Sequence, residues 1–176
     1  MTEYRLRGRK EESHNWILLF LDKGKQGTAQ DEPRILGGQE CPQHAQPFQV
    51  ILSNRKENEP DVQCGGVLID KDWVLTAAHC DQQGDIHTWM GDYSLRDNKG
   101  FEQCITSVQK FQHPAFNPIT HDSDLMLLKL HNSTIINQYV QPTELATEYA
   151  QPDTPCEVSG WGTIKSPQGT VVRWCS

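Results

Sequence analysis

At 176 residues with 36% hydrophobic and 8% aromatic content, the chain is long enough to bury one ordinary core and too apolar to be a disordered tail. A formal net charge of −7 and a pI near 5.4 exclude nucleic acid as a default partner, because phosphate binding relies on clustered Lys and Arg. Six cysteines, none in a Cys-x-x-Cys pair, favour disulfides and an oxidising compartment over a zinc site.

In chain order, the one basic cluster, Arg5, Arg7, Arg9 and Lys10, is followed at once by Glu11 and Glu12 and reads as a solvated arm. Residues 16–21 are apolar, but Asp22 and Lys23 end the run. It is shorter than the roughly 7–15 residues of a secretory signal core and far too short to span a bilayer. A degraded, misassigned or alternatively spliced signal region and a small apolar staple in a leader both fit it. Residues 22–33 lack apolar periodicity and read as a linker ending at Pro33, so a domain is expected to begin near Ile35.

From there short apolar runs recur at residues 48–52, 66–69, 73–77, 86–90, 105–111, 125–130 and 158–161, with Pro, Gly, Asn and Asp between them. This spacing predicts an all-β antiparallel barrel or sandwich. No long helical period and no internal repeat is present. Residues 77–80 can form one helical turn at a strand end, which would lift His79 out of the sheet.

The chemistry-bearing feature is Thr76-Ala77-Ala78-His79-Cys80, followed 45 positions beyond His79 by Asp124 in Ser123-Asp124-Leu125-Met126-Leu127-Leu128. Hydroxyl-based acyl transfer needs a histidine to take the nucleophile's proton and a buried carboxylate to fix that histidine's tautomer. A hydroxyl nucleophile would complete the set, and a glycine-rich turn is a setting that exposes one. Of the later serines, Ser133, Ser159, Ser166 and Ser176, none stands in a Gly-Asp-Ser-Gly-Gly context. Ser159, in Val158-Ser159-Gly160-Trp161-Gly162, reads as a buried strand running into a turn. Separately, Asn132-Ser133-Thr134 fits an N-glycosylation acceptor on a surface turn after a strand.

Taken in order, Arg34-Ile35-Leu36-Gly37-Gly38, Cys64-Gly65-Gly66-Val67-Leu68-Ile69, Trp73-Val74-Leu75-Thr76-Ala77-Ala78-His79-Cys80, His113-Pro114, Asp124-Leu125-Met126-Leu127-Leu128 and Cys156-Glu157-Val158-Ser159-Gly160-Trp161-Gly162 resemble the chymotrypsin-like serine proteases, on the trypsin and kallikrein branch. The resemblance covers residues 34–176 and only about the first three fifths of the family's catalytic domain. It implies a double β-barrel with the first barrel complete and the second only begun. Residues 1–34 would be leader and pro-segment, and residues 35–176 a truncated peptidase domain.

By that resemblance His79 is the general base, Asp124 orients it, and Arg34-Ile35 is the activation cleavage site. Cutting there would free an Ile35 ammonium, whose carboxylate partner beside the nucleophile is not in these residues. The resemblance also implies Cys64–Cys80 and Cys41–Cys175 bridges. Cys156 would be half of a bridge whose partner lies outside these residues, and Cys104 has no counterpart. Both are left over, with mispairing, a mutual bridge or a linked dimer as outcomes.

No cofactor is expected and no metal. Asp92 and Glu102 bracket a loop that binds calcium in some relatives, but Arg96 and Lys99 oppose a cation there. His121, with a second histidine such as His44, could be a zinc site, although a solvated loop histidine is the simpler reading. Protein or peptide substrates or protease inhibitors are the expected partners, outside the cell, with no membrane span. The functional expectation is a serine endopeptidase whose 176 residues are inactive as they stand. The alternatives are a non-catalytic binding protein or decoy and a splice or gene-model fragment without function.

Overall fold

Strands with one apolar face must cover that face, and six strands of this chain do so by closing on one another. The computed structural model describes residues 39–42, 44–53, 64–81, 84–91, 100–148, 159–162 and 172–175. Among the described residues the strands are β1 (Gln39–Glu40), β2 (Gln49–Ser53), β3 (Cys64–Asp70), β4 (Trp73–Thr76), β5 (His87–Met90), β6 (Gln103–Gln112), β7 (Met126–Leu130), β8 (Ser159–Gly162) and β9 (Val172–Cys175). A 3₁₀ turn, Ala78–Cys80, follows β4. Strands β2, β3, β4, β7, β6 and β5 make a closed antiparallel barrel in that order, and β1, β9 and β8 form a separate three-stranded sheet.

The expected all-β architecture is therefore present, and each of the seven apolar runs overlaps a strand. Period-two patterning fills the barrel. Strand β7 alternates buried Met126, Leu128 and Leu130 with half-buried Leu127 and Lys129. The buried set meets Val50, Leu52, Leu68, Val74, Ile86 and Met90 in one cluster. Each such side chain contributes roughly 1.5–3 kcal/mol through burial.

Strand β2 departs from this alternation, because all five of its residues are buried. Val50 and Leu52 belong to the barrel core; Gln49, Ile51 and Ser53 share the opposite face. On that face the Gln49 side-chain amide donates to the Ser159 carbonyl of β8 at 3.0 Å.

Closure needs strong local curvature, and register shifts between β3 and β4 at Leu68/Asp70 and between β6 and β7 at Ser107/Gln109 are bulges of the kind that supply it. Close strand approach supplies the rest. A Cβ on Gly66 would lie 2.9 Å from Val74 Cγ1 and 3.2 Å from the Leu75 carbonyl oxygen, so only glycine lets β3 and β4 pack at this distance. Gly66→Ala is expected to lower stability by about 1–3 kcal/mol, the range for overpacking a filled core. Urea unfolding of the two proteins measures it, and an unchanged midpoint would show that the strands can separate freely.

Candidate active site

Strand β4 is antiparallel to β7, and their register pairs Thr76 with Met126. The residues after Thr76 and those before Met126 therefore leave the barrel side by side, which brings positions 45 apart into contact.

On the β4 side, extended Ala77 leads into the 3₁₀ turn, whose Ala78 and Cys80 are buried. His79 is left pointing outward, with its side chain 16% exposed. The turn is pinned twice more. Cys80 is disulfide-bonded to Cys64 at the head of β3, closing a loop worth about 3 kcal/mol by chain entropy. Asp81, just past the turn, accepts from Lys110 Nζ at 2.7 Å and Gln112 Nε2 at 2.8 Å, tying it to β6.

On the β7 side, residues 113–125 form a loop organised around Asn117. The Asn117 Oδ1 accepts from the N–H groups of Ile119 and Thr120, and its carbonyl accepts from the His121 N–H at 2.8 Å. His121 and Ser123 both take positive φ, 58° and 54°. This left-handed backbone is disfavoured for a side-chain-bearing residue, and it turns the chain sharply enough to aim Asp124 at His79.

Asp124 grips one residue with both oxygens. Its Oδ1 accepts the His79 backbone N–H at 2.8 Å and its Oδ2 the ring Nδ1–H at 2.5 Å. With Nδ1 committed as donor, the ring keeps the tautomer whose Nε2 lone pair is available to a proton. Burial pushes the Asp124 carboxyl up. The hydrogen bonds from the His79 side chain and backbone, with the nearby His79 and His121 rings, outweigh it and hold the group below the usual carboxylate value.

His121 stacks on His79, with ring centroids 5.6 Å apart and planes 11° from parallel. Both line an open cleft of about 420 Å³ with Ala78, Asp81, Gln112, Phe116 and Pro118. Sequence reasoning missed this stacking; the position of His121 three residues before Asp124 is the signal that could have suggested it. His44 instead lies edge-on to Phe101 and Tyr139.

Ligand atoms of His79, His121 and Asp124 lie within 4.8 Å of one another, close enough to share a metal ion, though a cation on Nδ1 would have to displace its proton from Asp124. Cys64 and Cys80, also near His79, are sealed in their disulfide and cannot ligate as thiolates. Glu102 Oε2 accepts the Gly100 N–H. The other calcium candidate, Asp92, lies outside the described residues, as do Arg96 and Lys99.

Among the described residues no serine hydroxyl bonds His79. Ser133 Oγ bonds Asp72 instead, and Ser159 begins β8. Arg34, Ile35, Cys156, Ser166 and Ser176 lie outside the described residues. Cys41 is buried and disulfide-bonded. Cys175 stands on β9 in register with Gln39, two residues from Cys41. Cys104 is exposed on β6, and Asn132 is exposed beyond β7.

The family model described as Trypsin matches residues 35–174. The chain belongs to the trypsin family. Among curated relatives it is 39% identical to Kallikrein-8 of Homo sapiens over 167 residues, 92% of this chain and 62% of that one. It is 40% identical to Trypsin-10 of Gadus morhua over 136 residues, 77% of this chain and 54% of that one. Among solved structures, neuropsin, a serine protease expressed in the limbic system of mouse brain, superposes with a TM-score of 0.66 at 39% identity, covering 81% of this chain and 63% of that one. This trypsin-family chain thus spans about three fifths of the length of the kallikrein relatives it matches.

Because the folded Asp124 binds a proton less readily than the unfolded one, its pairing contributes fully above about pH 4 and is lost as pH falls through the lowered value. Asp124→Asn removes that titration. Wild-type stability is expected to fall more steeply than the variant's below about pH 4. Parallel urea midpoints for the two proteins across acid and neutral pH would contradict the assignment.

Proposed function

We propose that this chain provides the first barrel and the proton-transfer pair of a secreted trypsin- or kallikrein-like serine endopeptidase. The observation that carries the reading is the double grip of Asp124 on His79, which leaves Nε2 as the ring's free basic nitrogen at a cleft.

In this reading His79 Nε2 accepts the proton of a serine hydroxyl as its oxygen attacks the peptide carbonyl, and Asp124 steadies the imidazolium that results. His79 then returns the proton to the leaving amine, giving an acyl-enzyme that water hydrolyses by the same steps. Cleavage after Arg34 frees the Ile35 ammonium, with residues 1–34 as leader and pro-segment and the peptidase domain beginning at residue 35. Cys41 pairs with Cys175, a pairing supported by the β1–β9 register. Passage through an oxidising compartment is supported by the Cys64–Cys80 bridge. Protein or peptide substrates and protease inhibitors are the partners of such a site. Among the described residues no helix is long and apolar enough to cross a membrane.

Residues 1–176 contain no Gly-Asp-Ser-Gly-Gly. Loss of the nucleophile serine costs on the order of a million-fold in turnover, so purified residues 1–176 should not hydrolyse arginyl or aromatic peptide esters. Hydrolysis that disappears in His79→Ala would overturn that expectation. Sequencing the transcript past the codon for Ser176 tests the larger reading. A downstream Gly-Asp-Ser-Gly-Gly in frame supports it, and in a form carrying that segment Asp124→Asn should lower kcat about 10⁴-fold by releasing the wrong tautomer. An authentic stop codon would favour a non-catalytic binding protein or a fragment instead.

A further inference from the structure

Thr134 carries a group that neither the barrel nor the cleft uses. It is only 6% exposed, and its backbone N–H donates to the Lys71 carbonyl at 2.8 Å. Its hydroxyl is buried without a hydrogen-bond partner. A hydroxyl withdrawn from water and left unbonded opposes folding, and valine would fill the same shape without that penalty. The folded structure therefore gives no reason for threonine here.

The reason lies two residues earlier. Asn132 is exposed in the bend that follows β7, and its side chain makes no hydrogen bond among the described residues. Ser133 between them is also exposed, with its hydroxyl on Asp72. Asn132-Ser133-Thr134 is the one Asn-x-Ser/Thr triplet in the 176 residues, and such a triplet is the acceptor pattern for an N-linked oligosaccharide.

We infer that Asn132 is an N-glycosylation acceptor and that the Thr134 hydroxyl serves recognition of the extended chain before folding buries it. The donor is a lipid-diphosphate-linked oligosaccharide. The bond from the sugar C1 to the diphosphate oxygen breaks, a bond from C1 to Asn132 Nδ2 forms, the amide gives up one proton, and the lipid diphosphate leaves.

Because Thr134 is buried in the fold, transfer has to precede closure of the bend onto residues 71–72. Asp124 lies just before β7 and Asn132 just after it, so the glycan would project from the end of that strand remote from the cleft and leave His79 open. The inference rests on the export of the chain proposed above, and the test separates the two.

Residues 1–176 are expressed in mammalian cells twice, with their own N-terminus and behind a supplied cleavable secretion signal, and the products are treated with peptide-N-glycosidase. With the supplied signal one glycan's worth of mobility should be lost on digestion. Asn132→Gln and Thr134→Val should both abolish that shift, Thr134→Ser should keep it, and Thr134→Val should melt no lower than the wild type. A digestion-resistant product behind the supplied signal, or a shift that survives Thr134→Val, would overturn the inference. A shift seen only with the supplied signal would support the acceptor site and count against export by the native N-terminus.

Discussion

The site depends on one contact, the carboxylate of Asp124 closed over two donors of the same residue. A carboxylate that bonded only the ring would fix the histidine's tautomer and leave the ring free to swing with its backbone. By also taking the His79 N–H, Asp124 fixes backbone and side chain together, so the ring plane is set relative to the end of β7. Charge-assisted bonds to a partly buried carboxylate are stronger than neutral ones, and the lowered protonation tendency of Asp124 is the other face of the same preference.

That contact is made possible by barrel topology. The last residue of β4 and the first of β7 are register partners, so the 3₁₀ turn and the end of the 113–125 loop have little choice but to meet. Left to itself, a short turn held by two backbone bonds would fray. The Cys64–Cys80 bridge and the Asp81 bonds to β6 hold it on two further sides. The strain of positive φ at His121 and Ser123 is tolerated because Asn117 organises the loop between them and β6.

Much of this was legible in the sequence, and the exceptions share a cause. The barrel strands announce themselves because a half-buried strand writes its alternation into consecutive residues, as Met126, Leu128 and Leu130 do. Strands β1 and β9 do not: β1 is two residues long and is defined by pairing across more than a hundred residues, Gln39 with Cys175, and β9 is a short strand held between β1 and β8. Strand β2 looked like an ordinary strand, while both of its faces are buried and one of them meets β8 through the Gln49–Ser159 bond. His79 and Asp124 stood out by their flanking residues, whereas His121 read as a loop histidine. Its ring finds His79 only through backbone angles that no local pattern of apolar residues encodes, and His44 found aromatic neighbours instead.

His79 and Asp124 are held together by restraints that lie in or beside one closed barrel. Strands β4 and β7 set the spacing, the bridge to β3 and the link to β6 fix the turn, and the Asn117 loop returns the chain to β7; none of these calls on β8 or β9. Among the described residues, the three-stranded sheet meets the barrel at β2, where the Gln49 amide donates to the Ser159 carbonyl. The His79–Asp124 contact is thus set by the barrel's own closure and the loops that join it.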